Sequence, residues 1–445
     1  MKGDFSRFTF DKHKNYIGLL RQQGHVMLDA DWNEQSFLWI ENFRQLTRDI
    51  MGDFAIPLNS NEITENNSGA LKISRFSIDS GGVIDFRISR GLAYIAGYPF
   101  ILAKDAAFRN QPDYPEPITP EVKGNILVFI EVWQKTVNYI DDGFIREPIL
   151  GGPDTCLRAR LVGQVKAVSS EGIDNCDDAM EYLESLYPAN SLTLTAKIDY
   201  SGRQIPLSFG EIEVSGGYTV QNLHMRLELH QGVVSNGGFS RGLKWSDENC
   251  ATVVPLHNVV GSESVLIEEP EAVSGSSLNK GDWVEIGNII TELHRQGGQI
   301  ARIKDIKHVD EGHLVELDSN IHPLLTRFRT GARSGSKIEL APRLRRWSGY
   351  LSPISPEKPI NLGRGIKAIF HAPGKNIEIT PGDYWTFAIR DRDYNRRYFP
   401  QKSPPDGVRV HRHPLAVIKQ TGKNEFGKTI DCRKFFKPLT SFNLY

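Results

Sequence analysis

The sequence predicts a mainly β protein of several domains, built as sandwiches or barrels, with one N-terminal amphipathic helix and a small β-barrel-like insertion. Three observations predict it. Apolar residues alternate with polar ones in short runs, most cleanly where Leu223, Met225, Leu227 and Leu229 interleave with His224, Arg226, Glu228 and His230. The 40 Gly and 24 Pro among 445 residues suit a chain that turns often. Long helical spacing occurs once, near the start, and the length allows roughly two to four domains with cores of their own.

That helix begins near Asp31, which can cap it with Glu34 as the capping-box partner three residues on. Trp39, Phe43, Leu46 and Ile50 follow at spacings of four, three and four, and Gly52 offers a left-handed stop with Pro57 beyond. Such a stripe is expected to pack on the chain's own core. Residues 1–30 have too few periodic apolar positions for a core and are expected to run extended across a neighbouring surface, with residues 29–35 fixing the turn into the helix.

Period two then takes over. Ile84, Phe86 and Ile88 alternate before a Gly-bounded hairpin at 91–97, and the Pro-rich stretch 111–120 reads as an extended connector. Residues 125–133 are apolar on both faces, as in the middle of a packed sheet, and 157–168 continue it. A short helix is expected over 177–187, ending at Pro188. Strands at 282–286, 300–306 and 313–317 suit a small barrel or meander, and further strands are expected at 365–370, 383–389 and 414–418. The chain divides into an extended arm plus helix (1–57), a small β region ending in the connector (58–120), a main β domain (121–275), the insertion (276–343) and a C-terminal β segment completing the main domain (344–445).

Lys and Arg total 53 against 54 Asp and Glu, a formal charge of -1, so nothing in the balance draws the chain to phosphate polymers or anionic lipid. Nucleic acid is not an expected partner. Cys156, Cys176, Cys250 and Cys432 lie far apart with no Cys-x-x-Cys pair, and buried reduced thiols are the expected state. No signal peptide or transmembrane stretch is visible, which makes the cytoplasm the expected compartment.

Several groupings could carry chemistry. His224 and His230 share a strand face with a carboxylate, but Arg226 between them opposes a cation, so a solvated or subunit-facing surface is expected. His411 and His413 make a second pair without a third ligand. Asp141, Asp142, Glu147 and Asp154 could supply a glycosidase pair, although their Gly- and Pro-rich surroundings favour local turn bonds. Arg390, Arg392, Tyr394, Arg396, Arg397 and Tyr398 mix cations with rings, and Asp391 and Asp393 neutralise half of them, as in a surface ion-pair loop or an inter-subunit rim. The run 344–347, Leu-Arg-Arg-Trp, could lay an arginine over an indole. No phosphate loop, dinucleotide fingerprint, nucleophile elbow or His-Glu-x-x-His pair is present.

The opening carries a denser signal. Residues 1–7 (MKGDFSR), 22–24 (QQG) and 28–35 (LDADWNEQ), then Glu131-Val132-Trp133, the 150–155 run LGGPDT, Arg226 to His230, Gly281 to Glu285, Gly382 to Trp385 and Asp431-Cys432-Arg433 with residues 438–440, resemble an uncharacterised protein family associated with phage-tail-like contractile injection systems. Where that pattern has Trp-Ser-Arg-Glu-Asn-Gly, this chain reads Trp245-Ser246-Asp247-Glu248-Asn249-Cys250. The resemblance brings no catalytic, cofactor-binding or metal-binding residue. It implies a non-enzymatic structural component at or around the baseplate, acting in assembly or in docking to a target membrane or glycan surface. Its partners would be other baseplate or tail proteins and further copies of itself, as a homo-oligomer or multi-copy ring. Asp29, Asp31, Trp32, Tyr394, Arg396, Arg397 and Tyr398 are the candidate contact residues. A tail-fibre-like glycan- or receptor-binding module and a glycan hydrolase stand as alternatives.

Overall fold

The computed structural model describes residues 1–58, 69–150, 152, 154–198, 213–214, 218–219, 223–233, 239–268, 278–327, 329–331, 337–374, 380–390, 398–422 and 425–437. It is mainly β, and its strands close around three cores.

The first core lies against a four-stranded antiparallel sheet ordered Glu425–Asp431, His411–Gly422, Asn125–Val137, Arg158–Ser170. Strand Asn125–Val137 pairs along its full length, from Asn125↔Ser170 to Val137↔Arg158. Because successive side chains point to opposite faces, its continuous apolar run covers two layers. Ile126, Val128, Ile130 and Val132 pack on two smaller sheets built from residues 54–107 and the strand Phe435–Phe436, while Leu127 and Phe129 pack on the helix Cys176–Leu186 through Ala179 and Leu183. That helix is also tied to the far end of the sheet by a Cys176–Cys432 disulfide. The expectation of reduced cysteines fails for this pair, because folding brings positions 256 residues apart in sequence to a Cα separation of 5.3 Å. Cys156 is exposed and free, and Cys250 is buried and free.

The second core is a sandwich. One sheet runs Gly349–Leu351, Phe239–Ser246, Leu223–Val233, Tyr384–Ile389, and the other runs Ile360–Gly363, Ile366–His371, Thr193–Ile198. Met225, Leu227 and Leu229 meet Leu194, Ala368 and Phe370 between them. The third is a closed six-stranded barrel ordered Val253–Val259, Ser264–Ile267, Gly312–Leu317, Gln299–Val309, Trp283–Gly287, Arg343–Trp347. Closure leaves no free edge among these strands, and Val265, Val284, Ile303, Val315 and Leu344 fill the interior.

The long helix, α1, spans Asp29–Met51 and starts three residues earlier than the capping pattern suggests. Its N-cap is Leu28, and Asp31 sits at the third helical position, where Oδ2 accepts the Leu28 N–H at 3.2 Å. Gly52 ends it with φ of 81°. The docked face is Ala30, Glu34, Leu38, Arg44 and Thr47. Arg44 donates to the Ala96 carbonyl at 3.1 Å and lies 4.1 Å over the Tyr98 ring. Gly97 permits that approach: its φ is +80°, and a Cβ there would sit 2.4 Å from the Arg44 carbonyl oxygen.

Candidate functional site

A cavity of about 1410 Å³ opens where the three cores and α1 meet, and residues 1–5 run along it. Its floor is the polar face of Leu223–Val233. With Met225, Leu227 and Leu229 committed to the sandwich interior, the pleat turns His224, Arg226, Glu228 and His230 toward the junction, where all four are buried. The expected solvated or subunit-facing surface is therefore an internal one. The reason is ionic and distant in sequence.

Glu228 Oε1 lies 3.0 Å from Lys2 Nζ and 3.1 Å from Lys244 Nζ, and Oε2 lies 2.7 Å from Arg226 Nη2. Lys244, on the neighbouring strand and in register with Glu228, also reaches Glu285 of the barrel at 2.7 Å. Glu285 takes the Trp347 indole N–H at 2.9 Å and the Gly298 N–H at 2.8 Å. Burial alone would raise both carboxyls; the surrounding cations outweigh it, holding Glu228 well below its usual range and Glu285 at about 2. Lys244 lies 4.5 Å over the Trp347 ring and Lys2 5.5 Å, so lysines occupy the position an arginine of the 344–347 run was expected to take.

Two further carboxylates repeat the arrangement. Glu292 meets Lys135 at 3.0 Å, Arg345 at 3.3 Å and Arg343 at 3.5 Å, and Asp141 meets Lys135 at 2.7 Å and Arg343 at 2.9 Å, joining the barrel to the large sheet. Glu131, fully buried, holds Lys166 at 2.5 Å, Arg412 at 2.7 Å and Arg295 at 3.0 Å. Burial opposes its ionisation, but Arg295, Lys166 and Arg412 bring it down to about 2. In each hub the carboxylates are met by cations of this same chain. Such an arrangement fixes the bodies relative to each other, since removing one partner strands the rest in low dielectric.

The N-terminal residues belong to the same network. Gly3 N–H donates to the Asn249 carbonyl at 3.1 Å, and Asn249 Nδ2 donates to the Gly3 carbonyl at 3.0 Å. His224 Nδ1 lies 2.9 Å from the Phe5 carbonyl, the Ser6 N–H donates to Asp29 Oδ2 at 2.8 Å, and Thr9 bonds Glu34. Residues 1–9 thus lie on this chain's own sandwich and helix. The turn Ser246 to Cys250 places Asn249 at φ 49° and Cys250 at φ 59°, a conformation that glycine adopts with least cost.

The remaining candidates separate. Asp29, Asp31 and Trp32 share the start of α1, with Asp29 holding Ser6 and Trp32 largely exposed. Tyr398 is half-exposed, with Lys14 Nζ 5.9 Å over its ring. Tyr394, Arg396 and Arg397 lie outside the described residues, as do Asp391 to Asp393. Asp142 accepts the Phe144 N–H at 3.0 Å and Glu147 the Ile149 N–H at 3.1 Å, which is turn chemistry, whereas Asp154 accepts the Tyr139 N–H at 3.1 Å across fifteen residues of loop and Asp141 belongs to the ionic centre. His413 stacks on Phe54 with ring centres 4.0 Å apart, and His411 tilts toward Tyr98. Burial lowers both imidazoles to about 4, and His224 likewise. Among the described residues, no group of three or more His, Cys, Asp or Glu is placed to hold a metal ion, and no helix is long and apolar enough to cross a membrane.

One surface is left uncovered. Trp32, Trp39, Phe43, Leu46 and Ile50 of α1 are 60%, 66%, 50%, 59% and 62% exposed. The stripe expected on the chain's own core faces outward instead. The opposite face won the docking because Glu34 and Arg44 each find specific partners, Thr9 and the Ala96 carbonyl, and because Gly97 admits the helix backbone there. Tyr16, Ile17, Leu20, Val26, Met27 and Leu28 add exposed apolar side chains just ahead of α1, and the Leu19 N–H ties this loop to Gln35 at 2.7 Å. Apolar side chains thus stay in water along one side of α1 and in the loop ahead of it.

The sequence reading missed Lys2, Lys244, Glu285, Trp347 and Glu292 as members of the centre. Alternation in the strands Phe239–Ser246 and Trp283–Gly287 could have placed Lys244 and Glu285 on one face. Nothing local signals Lys2.

Residues 1–199 match a model of a family of unknown function (DUF6519), so this portion is similar to an uncharacterised domain family. No curated protein and no solved structure matches the chain.

Proposed function

We propose that this chain is a non-enzymatic structural component of a contractile injection particle, at or around its baseplate, which acts by protein contact in assembly or docking. The observation that carries the reading is the outward apolar face of α1. A side of a helix that leaves two Trp, a Phe, a Leu and an Ile in water is costly unless another surface covers it. The central cluster supports the same reading: its carboxylates are saturated by internal cations, and its imidazoles are held neutral, so its chemistry is that of a clamp. A clamped body presents the α1 face in a fixed orientation, and weak contacts repeated around a symmetric ring add through effective concentration.

Electron microscopy of particles made with and without this protein tests the proposal. Loss of a defined density at the baseplate end is expected when it is absent. Particles unchanged in composition and density would overturn it, and intact particles that fail only in attachment to a glycan surface would favour the receptor-binding alternative.

A further inference from the structure

The uncovered residues of α1 have a finer pattern than a general apolar stripe. The exposed Trp32, Trp39, Phe43, Leu46 and Ile50, with the half-buried Ser36 between the first two, succeed one another at alternating spacings of four and three, the a/d rhythm of a coiled-coil seam. We infer that this face pairs with the same face of a second copy of this chain, the two helices running antiparallel about a two-fold axis. The inference rests on the assembly reading above and names its partner.

Size chooses the direction. Ser36 is the one small residue in the seam. A parallel pair sets Ser36 beside Ser36 and leaves a gap, whereas an antiparallel pair centred between Trp39 and Phe43 sets Ser36 opposite Leu46, Trp39 opposite Phe43 and Trp32 opposite Ile50. Every layer then joins complementary volumes, two of them through rings.

Charge favours a copy over a foreign helix. The positions flanking the seam are Asn33, Gln35, Ile40, Asn42, Thr47 and Asp49, with a single charge among them. Flanking charges are what specify partner choice in two-helix seams, and the lone Asp49 supplies neither a charge pattern to recognise an oppositely charged partner nor a pair of like charges to repel a copy. In the antiparallel register Asn42 faces Asn42 across the axis and Gln35 faces Asp49, so no like charges meet.

Area is sufficient. At 50–66% exposure, with aromatic side chains of about 150–250 Å² each, the seam leaves on the order of 600 Å² in water per copy. Two copies would remove about 1,200 Å², the lower end of specific complexes, and the apolar loop tied to Gln35 widens the contact.

Sedimentation of the full chain over about 1 to 100 µM, the range in which an interface of this size assembles, reads the mass directly. A concentration-dependent dimer is expected, and Trp39→Glu with Leu46→Glu should give a monomer of unchanged circular dichroism. Direction is read by disulfide trapping in a Cys156→Ser background: chains bearing Ser36→Cys should cross-link with chains bearing Leu46→Cys and not with themselves. A wild-type chain that stays monomeric throughout overturns the inference, and self-linking of the Ser36→Cys chain overturns the antiparallel arrangement. If the chain is monomeric yet enters particles, and Trp39→Glu blocks that entry, the face meets a different protein: the second-copy inference fails while the assembly reading stands. A monomer that enters no particle removes both.

Discussion

Replacing Glu228 by Gln removes one negative charge and almost no volume at the point where Lys2, Arg226 and Lys244 converge within 2.7–3.1 Å. Glu285 remains, but it touches Lys244 alone among the three at salt-bridge distance. The buried Arg226 and the half-buried Lys2 are then left without a carboxylate. Breaking a buried pair in this way costs about 3–5 kcal/mol, because the surviving charge cannot be rehydrated in place. For a chain of 445 residues unfolding as one unit, an unfolding entropy of about 2.1 cal/mol/K per residue converts that loss to a midpoint lowered by about 3–5 °C. Calorimetry reads the midpoint, and amide exchange over residues 2–8 reads whether the N-terminal segment loosens, as it should when Lys2 loses its anchor. Glu263→Gln is the matched control: its pair with Lys304 is about half exposed on both sides, and its loss should stay within about 1 kcal/mol. A Glu228→Gln protein as stable as wild type, with residues 2–8 equally protected, would refute the claim that this carboxylate clamps the junction.

Acidification should destabilise the fold through its buried imidazoles, while the paired carboxylates Glu131 and Glu285, held at about 2, are still ionised. His224, His411 and His413 are lowered to about 4 and His230 to about 3, so below pH 6.5 the unfolded chain takes up protons that the folded chain refuses, and up to about 3 kcal/mol per imidazole is lost between pH 6.5 and 4. Asp383, raised to about 6 by burial, opposes this, its contribution being present below pH 4 and lost as pH rises through 6, and Asp113 and Asp406, also raised by burial, act in the same direction. Urea midpoints that are flat from pH 7.5 to 4.5 would contradict the sum. Reducing the Cys176–Cys432 bond, which closes a loop of 256 residues, should cost up to about 5 kcal/mol, read as a lower urea midpoint in reductant that Cys432→Ser reproduces. Gly97→Ala combines a left-handed φ with a clash against the α1 backbone and should cost about 2–5 kcal/mol, releasing α1 to proteolysis; a wild-type cleavage pattern would show that the helix docks otherwise.

The strands were legible because period two is a local property. Residues 223–230 announce their pleat by alternation and 125–133 their central place by an unbroken apolar run, and both lie in strands where expected. What alternation cannot say is what covers each face. The polar face of Leu223–Val233 is satisfied by Lys2, more than two hundred positions away, and by Glu285 on a different sheet. Its burial follows from those ion pairs and from nothing in the strand itself. The same holds for α1, whose spacing defines an apolar stripe while the docking is decided by Arg44, Glu34 and the glycine at 97. The Cys176–Cys432 bond was hidden for the same reason, since its geometry exists only once helix and sheet have met.

Oxidative footprinting of the α1 face at two protein concentrations addresses the assembly account most directly. If the face is an interface, modification of Trp39 and Phe43 falls several-fold between about 1 and 100 µM while that of Phe144, almost wholly exposed in the folded chain, stays constant. Equal modification of Trp39, Phe43 and Phe144 at both concentrations, and again in assembled particles, would mean that this face meets nothing.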